Sequence, residues 1–355
     1  MTSILAIETS CDETAAAVVT DGRTIHSNIV ASQIDLHAQY GGVFPELASR
    51  AHAEAISAVV ARAMSEADMT YADLDAIAVT QGPGLVGSLL VGIHFAKGLA
   101  LATGLPLLGI NHLEGHIYSL WLAPDFAESG FPVLALIVSG GHSELLVMRA
   151  HGVYQRIGGT IDDAAGEAFD KVGRLLGLPF PGGPSIEGAA VDGDSQSYNF
   201  PRAKTEGVYD FSFSGLKTAV MRAVTVQPRA GERRKRHRRA EKLATLRGAV
   251  NISDVAAAFQ EAVTDALVAS ACRAASDFGV KAVYLTGGVS ANTMLRDKLS
   301  AALALPVSYP PLYLCTDNAA MIGAAAYFRF RAGHRSKLDF EARANWRLSE
   351  DIYAD

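Results

Sequence analysis

Residues 4–19 read ILAIETSCDETAAAVV. Four apolar residues, a polar run (ETSCDET, 8–14) and five more apolar residues describe two buried strands joined by a polar turn. The same phrase returns at 133–148, VLALIVSGGHSELLVM, with a Ser/Gly turn in place of the acidic one. A related unit at 282–299, AVYLTGGVSANTMLRDKL, runs from a buried strand through a glycine turn into a helix. A strand–turn module recurring in each half predicts two related lobes facing a cleft. Such turns suit the phosphates of a nucleotide, because glycine lets backbone N–H groups approach an anion.

The intervening segments agree with this reading. Apolar positions at helical spacing predict a long helix over 46–67, then a strand over 75–79. The turn QGPGLVG (81–87) leads into a helix over 88–103 and a strand over 106–110. Alternating strands and helices predict an α/β protein with mixed sheets and helices on their faces. Later, a helix is expected over 254–276 with Ser253 as N-cap, and another over 318–328 opened by Thr316 or Asp317. The predicted division is 1–111 for lobe I, with the helix at about 317–330 returning to it, 112–316 for lobe II, and a polar tail over 331–355. Lobe II is expected to carry a basic insertion at about 227–250.

At 355 residues the chain has room for two lobes, and 49% hydrophobic against 19% charged residues excludes a disordered chain. The longest apolar region, 86–110, is interrupted by His94, Lys97 and Pro106, so no membrane span is expected. Glu8 inside the first apolar stretch argues against a signal peptide. Three scattered cysteines, Cys11, Cys272 and Cys315, indicate a reducing compartment, with cytoplasm the expected location. Net charge is −6, yet 229–242 (RAGERRKRHRRAEK) holds eight Lys/Arg and two Glu. That block either engages a polyanion or is a solvated insertion.

Four groups of residues carry chemistry. In HLEGH, His112 and His116 stand at i and i+4, on one helical face, and can reach one metal ion. Asp317 is a candidate third ligand, though a helix start is also where an N-cap Asp sits. Glu114 is misplaced for a zinc protease, whose base follows the first histidine directly. The Ser139-Gly140-Gly141 turn could receive an anion or be an ordinary hairpin. In TGGVSAN, Asn292 offers a donor and an acceptor to a hydroxyl or a base edge. Asp170, followed by the PGGP loop (181–184) and Glu187, could hold ribose hydroxyls, whereas Asp162 and Asp163 read as solvated acids. Cys11 has no identifiable histidine partner and reads as a packed thiol; Ser212, Ser214 and Lys217 of FSFSGLKTA stay unassigned.

Together, ETSCDET, QGPGLVGSL, NHLEGH, LIVSGGHSEL, GEAFDKVGRLLGL, PGGP, FSFSGLKT, LTGGVSANTMLR and CTDNAAMIG resemble the universal tRNA N6-adenosine threonylcarbamoyltransferase family, called TsaD in bacteria and formerly glycoprotease. The likeness runs from about residue 4 to 328. It implies a two-lobed actin/Hsp70/sugar-kinase (ASKHA) fold around a nucleotide cleft. It implies His112, His116 and Asp317 as metal ligands, with iron(II) the usual metal and zinc the other option. It implies Ile137, Val138, Ser139, Gly140, Gly141, Asp170, Gly183, Glu187 and Asn292 as contacts to threonylcarbamoyl-AMP. Its implied acceptor is N6 of adenine 37 in tRNAs reading codons that begin with adenine. Its implied partners are a TsaB-like paralogue and a TsaE-like ATPase. The insertion at 229–242 is not part of the family pattern. Competing readings are a carbamoyltransferase acting on a small molecule or protein, a sugar kinase, a metalloprotease and a silent scaffold paralogue.

Overall fold

A computed structural model describes residues 1–225 and 250–348. The basic block at 229–242 lies outside these residues. Two five-stranded sheets form the framework. The first runs β3 (Thr24–Ser32), β2 (Glu13–Thr20), β1 (Ser3–Glu8), β4 (Ala76–Gly82), β5 (Leu107–Asn111). The second runs β8 (Val153–Gly159), β7 (Ser143–Ala150), β6 (Val133–Val138), β9 (Val283–Thr286), β10 (Val307–Ser308). In each, a three-stranded antiparallel meander is extended by two parallel strands on the same side. The duplicated strand–turn–strand phrases are β1–β2 and β6–β7, so the ASKHA-type α/β architecture is present.

Successive side chains of a strand face opposite sides, and here both sides are buried. Ile4 and Ala6 enter a core between the two sheets, while Leu5 and Ile7 enter a core on the outer side of the first sheet. Likewise Val133, Ala135 and Ile137 face inward, and Leu134, Leu136 and Val138 face the outer core of the second sheet. That two-sided burial is why these strands read as continuous apolar runs rather than alternating ones.

Helices α2 (Pro45–Glu66) and α3 (Val86–Thr103) cover the first sheet. Helices α5 (Ala165–Leu176), α6 (Gly182–Ala190), α7 (Ser214–Val224), α8 (Ile252–Asp277) and α9 (Thr293–Ala302) cover the second. α1 (Ile34–Ala38) is a single short turn before α2. α4 (His112–Tyr118) and α10 (Ala319–Arg331) contribute to the core between the sheets. α3 and α8 are long and apolar enough to cross a membrane, but most of the α8 window is buried within the protein.

Several expectations need correction. The cap of α8 is Asn251, whose side chain accepts from Ser253 N, rather than Ser253. Neither Thr316 nor Asp317 caps α10: Asn318 does, accepting from Met321 N at 3.1 Å, which leaves the Asp317 carboxylate uncommitted to the helix. The stretch after TGG is not helical from the start, since a 3₁₀ turn (Gly288–Ala291) precedes α9. The polar tail is docked as far as it is described. Ser336 N donates to Leu107 O, Arg343 N donates to Gln81 O, and Trp346 and Leu348 are buried. Two large apolar side chains anchor a segment whose average composition is polar.

Candidate metal centre and nucleotide cleft

β5 ends in Asn111, whose side chain caps α4 by accepting from Leu113 N (2.9 Å). The seven-residue helix therefore starts at a defined point, and His112 and His116 emerge one turn apart with ring centroids 4.7 Å from each other. Asp317 arrives from a distant part of the chain, just ahead of α10. Its Oδ1 lies 3.5 Å from His112 Nε2 and 3.3 Å from His116 Nε2. One ligand atom from each residue falls within 4.8 Å of the others.

His112 is aimed by Glu8 at the end of β1, whose Oε2 is 2.9 Å from His112 Nδ1 and also accepts from Thr80 Oγ1 at 2.7 Å. Glu8 is fully buried. A carboxylate on Nδ1 keeps the proton there and turns Nε2 toward Asp317, the arrangement typical of metal-bound histidine. Sequence reasoning noted Glu8 only as a charge inside an apolar run. The signal was available, because a carboxylate is almost never fully buried unless paired. Among the described residues His116 has no such partner. It is fully buried, its Nδ1 makes no hydrogen bond, and its Nε2 faces Asp317 without hydrogen-bonding alignment. Two imidazoles and a carboxylate with an orphaned buried nitrogen fit a borderline divalent metal such as iron or zinc.

The electrostatics agree. Burial disfavours the charged form of His112, but Asp317 and then Glu8 outweigh it and raise its pKa to about 9. His116 is lowered, chiefly by burial. The Asp317 carboxyl is held well below the usual range: burial opposes this, and His112 and His116 overcome it. His112 must shed its Nε2 proton to bind metal, so proton and metal compete below pH about 9. Titration calorimetry with zinc is expected to show affinity falling by up to about tenfold per pH unit between about pH 8 and 6, with proton release in proportion.

The remaining predicted residues are joined by contacts into a ring. Ile137 and Val138 are buried strand residues, so only their backbone is available to a ligand; Gly140 and Gly141 are exposed, with nothing facing their Cβ positions. Gly166 N, in the first turn of α5, donates to Ser139 O. One turn further, Asp170 accepts from Gly182 N at 2.7 Å, joining α5 to the PGGP loop. Burial raises the Asp170 pKa, with Asp12 and Glu167 adding to it against the Gly182 bond. Gly183 is open, and Glu187 accepts from Thr293 N at 2.8 Å, joining α6 to α9. Asn292 is occupied by the fold: it caps α9 through Leu295 N (3.0 Å) and donates to Gln260 Oε1 (2.9 Å). Gly287 closes the ring. At φ +89°, a Cβ there would stand 2.5 Å from Val138 O. Gly287→Ala is therefore expected to push the TGG turn off β6 and destabilise the protein by about 1–3 kcal/mol in denaturant titration.

His142 follows the Ser139-Gly140-Gly141 turn and feels the charge of the candidate metal ligands. Its backbone N–H donates to Ser139 Oγ, and burial, then His112 and His116, lower its pKa to about 4. Asp162 is exposed and Asp163 half-buried, as expected of solvated acids, but both are paired. Asp162 accepts from Ser212 Oγ and Ser214 Oγ (2.6 Å each), and Asp163 pairs with Lys171 (2.8 Å) and Lys217 (3.0 Å). The FSFSGLKT motif thus clamps the loop before α5. Burial, with Asp12 beside it, pushes the Cys11 thiol well up, which is the opposite of an activated nucleophile.

Comparison with known proteins gives a consistent result. The family described as tRNA N6-adenosine threonylcarbamoyltransferase matches residues 24–324. A protein of that name from Thermomicrobium roseum is 53% identical over 349 residues, covering 96% of each chain. One from Symbiobacterium thermophilum is 52% identical, covering 96% of this chain and 95% of its own. Among solved structures, HypF from T. kodakarensis superposes with TM-score 0.60 at 15% identity, over 94% of this chain and 48% of that one. Full-length HypF in a phosphate- and nucleotide-bound form superposes with TM-score 0.57 at 14% identity, over 94% of this chain and 47% of that one.

Proposed function

The chain belongs to the tRNA N6-adenosine threonylcarbamoyltransferase family, and from that premise we propose that it moves the threonylcarbamoyl group of threonylcarbamoyl-AMP onto N6 of adenine 37 in tRNAs reading codons that begin with adenine. The observation that carries the chemistry is the convergence of His112, His116 and Asp317. These three residues would hold iron(II), or zinc, which when bound supplies a Lewis acid for a carbonyl.

An exocyclic adenine amine is a poor nucleophile, since its lone pair is delocalised into the ring. The protein must therefore act on the electrophile. Gly140 and Gly141 expose backbone N–H groups where the adenylate phosphate would sit, and they meet the charge that grows on the leaving AMP. The bond from carbonyl carbon to phosphate oxygen breaks as the new C–N bond forms. The proton lost by N6 passes to the AMP phosphate. Asp170, Gly183 and Glu187 line the ring on the side of α5 and α6 and would orient the nucleoside. Cys11 takes no covalent part, because the anhydride already has a good leaving group and the thiol stays protonated.

The reaction would run in the cytoplasm, with a TsaB-like paralogue and a TsaE-like ATPase as partners. Acidic overall, the chain needs a local basic surface for tRNA, and the block at 229–242 would supply one. Deleting it is expected to weaken tRNA binding and to flatten log K against log[salt], by about 0.9 for each phosphate no longer neutralised. An unchanged slope in filter binding would show that the block does not touch the tRNA.

The test is mass spectrometry of tRNA nucleosides after incubation with threonylcarbamoyl-AMP, unmodified tRNA and both partner proteins. New threonylcarbamoyladenosine supports the proposal. No product, beside a family member active in parallel, would shift the assignment to a small-molecule or protein acceptor.

A further inference from the structure

α4 is two turns long and all seven of its residues are buried. A helix this short has little stability of its own, so its surroundings decide how it is rotated. His112 is held from outside, by Glu8. His116 is not, since its ring nitrogens make no hydrogen bond among the described residues. The direction of His116 Nε2 is therefore set by the rotation of α4.

Glu114, which the sequence left without a use, lies two residues from each histidine, about 160° around the helix from both. Glu114 is 1% exposed at its side chain and Arg329, on α10, is 6% exposed. Arg329 Nε donates to Glu114 Oε2 at 2.7 Å, and Tyr154 Oη, on β8, donates to Glu114 Oε1 at 3.1 Å. Arg329 also donates to Gly109 O on β5 at 3.1 Å. Beside this pair, Gly115 lets α4 approach α10 closely: a Cβ there would stand 2.7 Å from Ile322 Cδ1. An apolar contact of that kind tolerates rotation, whereas a charge-assisted, directional bond does not.

We infer that Glu114 and Arg329, backed by Tyr154, are positioning residues that fix the rotation of α4 against α10 and so aim His116 Nε2 at Asp317. α10 begins two residues after Asp317, so the pair ties the helix bearing two ligands to the helix that follows the third. The inference rests on reading these three residues as a metal centre. It also gives a reason for a buried ion pair, which as a contribution to stability alone is often replaceable by uncharged groups.

That replaceability supplies the test. Removing both charges together, Glu114→Gln with Arg329→Gln, leaves no uncompensated ion, and the metal-free variant is expected to fold with a thermal midpoint close to the parent's. Cobalt(II) is the probe, because its visible absorption reports ligand geometry. The double variant should bind cobalt(II) about 10–100-fold more weakly, with altered bands, and cobalt should raise its Tm less than the parent's. Equal affinity and unchanged bands in the folded variant would overturn the inference alone. A parent that binds no cobalt(II) would overturn the metal reading and the inference with it. Should the double variant not fold, Tyr154→Phe removes the hydroxyl that donates to Glu114 and leaves the ion pair. An affinity loss of about threefold to tenfold is then expected, and no change would overturn the inference.

Discussion

Asp317→Asn is expected to strip the centre of metal and to lower threonylcarbamoyl transfer by at least about 100-fold. Asparagine keeps the size and the position ahead of Asn318, so the capped start of α10 survives. What it removes is a charge. That charge stands 3.3–3.5 Å from two imidazole Nε2 atoms, and it does more than any other group to make His112 take a proton readily against the cost of burial. A neutral amide is a far weaker ligand for a hard or borderline cation. Metal content by elemental analysis and product by mass spectrometry should therefore fall together, while circular dichroism stays that of the parent. A variant that kept its metal and its activity would remove Asp317 from the centre.

Glu8→Gln is expected to cost about 10–100-fold in metal affinity, the usual effect of losing a carboxylate behind a ligating histidine. Glu8 accepts from Ser10 N, Thr80 Oγ1 and His112 Nδ1. A glutamine presents an amide N–H₂ to one of these donors, so one buried donor is left unmatched at about 1–3 kcal/mol. The two effects separate by experiment. Urea titration of the metal-free protein reads the second, and calorimetry with zinc reads the first. An unchanged affinity would mean that His112 is oriented by something other than Glu8.

Much of this was legible in the chain, and the physics says which part. β1, β2, β6 and β7 are buried on both faces, so their apolar runs announce them, and the repetition of strand, turn and strand announces two related lobes. β3 and β8 were missed because they carry mixed exposed and buried residues at sheet edges, and β10 is only two residues long. HxxxH could be read from helical spacing alone. Asp317 could not be separated from an N-cap by spacing, and the family resemblance supplied it. The roles of Glu8, Glu114 and Arg329 escaped because their partners lie far off in sequence, and a pair such as Arg329 and Glu114 leaves no local pattern. Asp170, Glu187 and Asn292 could be picked out from their loops as groups suited to a hydroxyl or a base edge, and the family resemblance supplied the ligand. Asn292 in particular is tied to Leu295 and Gln260, a use that no motif discloses.

The decisive measurement for the metal centre is transfer by protein first freed of metal and then reloaded. Threonylcarbamoyladenosine formed on tRNA would be quantified with both partner proteins present, before and after one equivalent of iron(II) or zinc is restored. The expected result is no product from the stripped enzyme, recovery that saturates at one metal per chain, and no recovery in Asp317→Asn. Full transfer by stripped protein would contradict a metal-dependent reaction at these three residues.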